Sequence, residues 1–166
     1  MTRVNFSDLE KIRAAHQHQK IVFCSGCFDL THAGHVLFFE DCKKQGDILV
    51  VMVGSDKVVA RDKGAQRPIL NEHLRIKLID SLKPVDYTFF DDLVPKTAHP
   101  LEYINTVLTK LRPNIYVVNE DAWDMDYRKK TTERLGVELV QLERWCPEEF
   151  EKISTTKIIE KIKNTT

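Results

Sequence analysis

Two histidines one helical turn apart, His32 and His35, stand with Gly34 between them where an apolar run gives way to a helical rhythm. Residues three apart on a helix are neighbours. A helix start also offers unpaired backbone N–H groups and a partial positive charge, so it is a ready site for phosphate. Gly34 has no side chain to hold a polyphosphate off the backbone. Two imidazoles there can donate hydrogen bonds to oxygens on which charge develops, the fixed electrostatic help that acyl and phosphoryl transfer both require. A nucleoside triphosphate is the guest these residues suit.

The pair must be positioned by what surrounds it. Ile21-Val22-Phe23 predicts a short buried strand that Gly26 ends, and Thr31 is the expected cap of the helix carrying Val36, Leu37, Phe38 and Phe39. Gly46 stops that helix, and Ile48 to Val53 gives a second strand ending at Gly54-Ser55-Asp56. Upstream, Ser7-Asp8-Leu9-Glu10 has the pattern of a capping box and predicts a helix to about His16. Downstream, Lys57 to Pro68 is polar without a periodic apolar face and predicts a loop. A helix over 71–82 with Asn71 as cap follows, then a strand at Tyr87–Phe90 and a loop over 91–100. The rest alternates: helix to Leu111, strand at Ile115–Val118, helix Tyr127–Leu135, strand Val137–Leu142, and a last helix capped by Ser154. Such alternation predicts an α/β fold with a single doubly wound five-stranded parallel sheet, order 3-2-1-4-5, whose ligands bind at the carboxyl ends of the strands. Three stretches then converge: Gly26 to His35, Asn119-Glu120-Asp121 and Ile153 to Thr156.

A chain of 166 residues with 42% hydrophobic content builds one domain, an N-terminal helix over 1–19 and a core over 20–166. Its 25 basic and 25 acidic residues balance, so no overall field draws it to nucleic acid or a membrane. No apolar run approaches the roughly 18 residues of a membrane span and no signal core is seen, so a cytoplasmic protein is expected. Cys24 and Cys27 form C-x-x-C, but Cys24 belongs to the buried strand and neither Cys42 nor Cys146 completes a metal set. Reduced structural thiols are expected, with a redox pair or a metal site as the alternatives.

Gly26-Cys27-Phe28-Asp29, Leu30 and His32-Ala33-Gly34-His35 resemble the G-x-F-D-x-x-H-x-G-H signature of the cytidylyltransferase-like nucleotidyltransferases, and Ile153-Ser154-Thr155-Thr156 resembles their second signature, I-S-T-T. The resemblance spans nearly the whole chain. It implies a Rossmann-like fold and transfer of a nucleoside monophosphate from CTP or ATP to a phosphorylated small molecule, with Mg²⁺ as cofactor and release of pyrophosphate. By the same resemblance, His32, His35, Lys63, Ser154 and Thr155 are catalytic. Gly26, Cys27, Phe28, Asp29, Gly34, Asn119, Asp121 and Ile153 join His32, His35, Ser154 and Thr155 around the nucleotide. Lys63, Arg67, Arg75 and Trp123 are the expected acceptor residues, no protein ligand to the metal is expected, and a homodimer is.

Asn119 and Lys152 stand where the family usually has glycine, which bears on the two loops. Arg144 and the isoleucine of I-S-T-T tip the expectation towards CTP and a glycerol-3-phosphate type of cytidylyltransferase. Gly64-Ala65-Gln66-Arg67-Pro68-Ile69-Leu70-Asn71 instead echoes the adenylyltransferase domain that makes ADP-heptose, and the flavin-nucleotide branch is a third form. A nucleotide-binding protein without turnover is the reading from another class. His16, His18, His73 and His99 have no comparable context.

Overall fold

The computed structural model describes residues 2–91 and 99–165. Its strands are β1 (Thr2–Arg3), β2 (Ile21–Gly26), β3 (Ile48–Gly54), β4 (Tyr87–Asp91), β5 (Ile115–Asn119) and β6 (Glu138–Leu142). Its helices are α1 (Leu9–Ala15), α2 (Ala33–Lys44), α3 (Asp56–Lys63), α4 (Glu72–Asp80), α5 (Glu102–Leu111), α6 (Met125–Leu135) and α7 (Thr155–Asn164). All neighbouring strands pair in parallel in the order β1-β4-β3-β2-β5-β6. Apart from β1, this is the expected 3-2-1-4-5 sheet.

Four local expectations are corrected. Thr2 and Arg3 add a sixth, edge strand beside Tyr87 and Thr88, too short to leave a pattern in sequence. Residues 56–63 are helical, not loop, because Val58 and Val59 are buried and Ser55 starts the turn by accepting from Val59 N–H at 2.9 Å. The capping box sits two residues earlier, where the Asp8 carboxylate accepts from Asn5 N–H at 3.1 Å around a 3-10 turn that precedes α1. His32, not Thr31, is the N-cap of α2. The cap expected at Asn71 is present, accepting from Leu74 N–H at 3.1 Å. The loop expected over 91–100 lies mostly outside the described residues.

The core has two layers because each strand alternates. Phe23, Val50, Met52, Phe89 and Tyr116 face α1 and α5, while Val22, Cys24, Leu49, Val51 and Val117 face Phe38, Phe39, Ile76 and Ile79 on α2 and α4. Full burial of each such side chain contributes about 1.5–3 kcal/mol, so the carboxyl ends of the strands are a rigid platform.

The loop after β2 is held from below by a charged pin. Arg75, 0% exposed, donates to the Cys27 carbonyl at 2.6 Å, the Leu70 carbonyl at 2.9 Å and the Asp56 carboxylate at 2.7 Å. It reaches the loop's underside and, though expected at the acceptor, is not among the residues that line the cavity described below. Phe28 and Leu30 lie in the left-handed region, at φ 49° and 47°, a conformation non-glycine residues hold only when neighbours fix it. Replacing Arg75 by methionine keeps the volume but strands two buried carbonyls. The variant should lose about 2–4 kcal/mol in urea unfolding. A loss under about 0.5 kcal/mol, typical of a surface change, would contradict this role.

Candidate active site

Where β2 and β5 part, the carboxyl edge of the sheet opens into a cavity of about 820 Å³. The three stretches the topology was expected to join all line it: Gly26 to Asp29 with His32 to His35, Asn119 to Trp123, and Ile153 to Lys157. Lys63 and Arg67 line it as well.

The histidine rings stack, centroids 3.9 Å apart and planes 21° from parallel, and Phe28 meets His35 edge-on at 5.5 Å. Gly34 makes that stack possible, since a Cβ there would lie 3.1 Å from the His32 ring and 3.5 Å from the Ile153 carbonyl. Burial pushes the His35 imidazole down to about 3, helped by His32 and Arg144 nearby. His32 is lowered by the same two causes, burial first and Arg144 second. Both rings are therefore neutral at pH 7, so the stack carries no like-charge repulsion. Yet Nδ1 of each is buried and accepts or donates no hydrogen bond among the described residues. Buried polar atoms are ordinarily satisfied, so two orphans side by side mark a place for a ligand.

A second helix start faces the first. The Ser154 hydroxyl caps α7 by accepting from Lys157 N–H at 3.2 Å, and the Thr155 hydroxyl donates to the Asp29 carbonyl at 2.7 Å. The N-terminal ends of α2 and α7 thus border one cavity, and two such ends favour a polyanion.

The other expected residues divide. The Asp29 carboxylate, 1% exposed, accepts from Ile69 N–H at 2.8 Å, Leu70 N–H at 3.0 Å and Arg67 at 2.8 Å. It thereby fixes the loop wall, and Arg67 is engaged with it. Asp121 pairs with Arg144, and Glu120 accepts from the Arg144 backbone N–H at 3.3 Å. Trp123, Trp145 and Phe150 are exposed along the rim. The Cys27 thiol is pushed up by burial and Cys24 more so, and no two cysteines are joined by a disulfide. Among the described residues, no three His, Cys, Asp or Glu side chains converge on a metal ion, and no helix is long and apolar enough to cross a membrane.

Sequence reasoning missed the floor of the cavity. Ser25, Asp91, Tyr103, Tyr116 and Arg128 come together there from five different elements, and no local spacing connects them. The one available signal was Tyr116, a polar tip inside an otherwise aliphatic buried strand.

The depressed His35 sets an acid sensitivity. Its folded value of about 3 lies below the 6.5 of a free histidine, so between those limits the unfolded chain binds a proton that the fold excludes. Stability must then fall as pH falls through that window. His35→Gln should flatten the drop in thermal midpoint between pH 6.5 and 4.5; an unchanged slope would contradict the assignment.

Residues 23–161 match the cytidylyltransferase-like family. The bifunctional protein HldE of Helicobacter pylori (strain P12) is 41% identical over 158 residues, covering 95% of this chain and 31% of that protein. Its counterpart in Campylobacter concisus (strain 13826) is 35% identical over 161 residues, covering 96% and 30%. The chain thus spans about a third of the length of the curated relatives it matches. Among solved structures, the lipopolysaccharide core biosynthesis protein from Thermoplasma volcanium GSS1 aligns with a TM-score of 0.63 at 30% identity, over 77% of this chain and 99% of that one. A pantoate-beta-alanine ligase from Francisella tularensis aligns with a TM-score of 0.66 at 17% identity, over 98% and 77%, which is a likeness of fold. Because the match runs unbroken from the strand that ends in the Gly26 loop into the helix that Ser154 begins, the chain belongs to the cytidylyltransferase-like family of nucleotidyltransferases.

Proposed function

We propose that this chain transfers the adenylyl group of ATP to the phosphate of a phosphorylated sugar, as an adenylyltransferase of the ADP-heptose-synthase type. The observation that carries the transfer reading is the stacked, neutral His32–His35 pair with its two orphaned nitrogens between two helix starts. In the reaction, an ionised oxygen of the acceptor phosphate forms a bond to the α-phosphorus while the bond to the β-phosphate bridging oxygen breaks and pyrophosphate leaves. The attacking oxygen carries no proton, so no general base is required. Positioning and charge stabilisation are. His32 and His35 serve as donors to the triphosphate, Ser154 and the α7 start as a second clamp, and Lys63 as the acceptor's counter-charge.

Bound Mg²⁺ would neutralise charge on the triphosphate. Of the carboxylates lining the cavity, Asp29 is committed to the loop wall and Asp121 to Arg144, and no three potential ligands gather among the described residues, so the ion would be carried mainly by substrate phosphates, its usual mode.

Two features favour ATP and a sugar phosphate over the CTP expected from Arg144. Relatives at 41% and 35% identity are named bifunctional protein HldE, and a neighbour at 30% identity is named for lipopolysaccharide core biosynthesis. The Gly64 to Asn71 stretch echoes the same branch.

Pyrophosphate release with Mg²⁺, ATP or CTP, and heptose 1-phosphate or glycerol 3-phosphate tests the proposal. Turnover with ATP and heptose 1-phosphate is expected; turnover only with CTP and glycerol 3-phosphate would overturn the substrate assignment. Nucleotide binding without release from any pair would overturn the enzyme reading. In the active pair, His35→Ala should lower kcat by about 10² or more, and Lys63→Ala should raise the acceptor's KM more than that of ATP. Near-normal turnover by the first variant, or the opposite KM pattern in the second, would overturn those roles.

A further inference from the structure

We infer that Arg128, Tyr103 and Tyr116 form the floor of an acceptor subsite that grips the hydroxyl groups of a sugar phosphate. The inference rests on the transfer reading above and assigns the part of the acceptor that does not react.

Sheet register leads to it. On the face that packs α1 and α5, the strand columns run Ile21-Phe23-Ser25, Ile48-Val50-Met52 and Tyr87-Phe89-Asp91. The first two begin with buried apolar groups and the third with the half-buried Tyr87, and two of the three turn polar at the carboxyl end, where the cavity begins. Tyr116 stacks on Phe23 at 5.2 Å, and its hydroxyl lies 3.4 Å from Ser25 Oγ. The polar ends of these columns therefore sit where the cavity opens.

Arg128 supplies the charge. It is 6% exposed on α6 and lines the cavity; its Nε donates to the Trp123 carbonyl at 3.0 Å and its Nη1 to the Tyr116 hydroxyl. Both partners are neutral, and among the described residues no carboxylate lies within ion-pair reach of Arg128. A guanidinium has five N–H donors in a planar fork, so these two bonds leave donors for whatever enters the cavity. Tyr103, on α5, lines the same floor, and its hydroxyl makes no hydrogen bond to a described residue. Burial and the neighbouring Tyr116 and Asp91 push its phenol up, which keeps it a proton donor.

The ligand chemistry follows from this mixture. The helix starts that suit a triphosphate belong to α2 and α7, and α2 packs on the opposite face of the sheet. The Arg128 side of the cavity is therefore left for the acceptor. A sugar hydroxyl both donates and accepts, and the floor offers a guanidinium, two phenols and the Ser25 hydroxyl, with Met52 as an apolar wall.

The test uses the whole chain with ATP, Mg²⁺ and heptose 1-phosphate, measuring both steady-state kinetics and calorimetric binding of the sugar phosphate. Tyr103→Phe removes one oxygen and preserves the packing; Arg128→Lys keeps the charge but loses the fork. Each should raise the acceptor's KM and Kd by about 3- to 20-fold, with the KM for ATP changed less than twofold. With a panel of monodeoxy heptose 1-phosphates, at least one analogue should show no further loss in Tyr103→Phe, a signature that a purely structural residue would not give. If wild type turns over and Tyr103→Phe leaves acceptor KM and Kd unchanged, or raises the ATP KM equally, the subsite is overturned and the transfer reading stands. If wild type binds the sugar phosphate without turnover and the variants weaken that binding, the subsite stands and the transfer reading falls. If wild type neither binds nor turns over any sugar phosphate, both fall.

Discussion

One buried carboxylate holds the carboxyl edge of the sheet together around its cavity. Asp29 accepts from the backbone of Ile69 and Leu70 and from Arg67, while its own carbonyl accepts from the Thr155 hydroxyl. Burial works against its charge, but the Leu70 and Ile69 N–H groups and the Arg67 guanidinium outweigh it and hold the group below its ordinary value. Three segments distant in sequence, the loop after β2, the strap from Arg67 to Leu70 and the start of α7, are thereby fixed to one residue. Arg75 braces the same loop from beneath. The cavity's shape depends on these contacts more than on any residue that would touch a substrate.

On that frame the histidine pair can afford to be unsatisfied. Two half-buried imidazoles stacked at 3.9 Å with buried, vacant Nδ1 atoms are unfavourable in isolation, and Gly34, which leaves room for the stack, and Phe28, edge-on to His35, help hold them there. Keeping them neutral removes the repulsion a charged pair would suffer. A polyphosphate entering between the two helix starts would supply hydrogen-bond partners for the vacant nitrogens, so the unfavourable arrangement is relieved by the ligand itself.

Much of this was legible in the sequence because the physics involved is local. Continuous β-branched runs marked the parallel strands, caps such as Asn71 and Ser154 marked helix starts, and strand–helix alternation gave the sheet order, which in turn brought the three ligand stretches together. Long-range pairing was not legible. Asp29 and Arg67 carry the right motif residues, yet only the fold shows them spent on each other, and nothing near Arg75 in sequence points to the Cys27 carbonyl. α3 was hidden because two adjacent valines make too narrow a face to register as periodic. The cavity floor was hidden because its members come one each from separate strands and helices.

The account turns on His32 and His35 receiving the triphosphate. The most direct measurement is nitrogen-15 NMR of the six histidine side chains during titration with the non-hydrolysable analogue α,β-methylene-ATP and Mg²⁺. The ring nitrogens of His32 and His35 should shift on saturation, while those of His16, His18, His73 and His99 stay within error of the free protein. Saturable binding that leaves His32 and His35 unmoved would contradict the account.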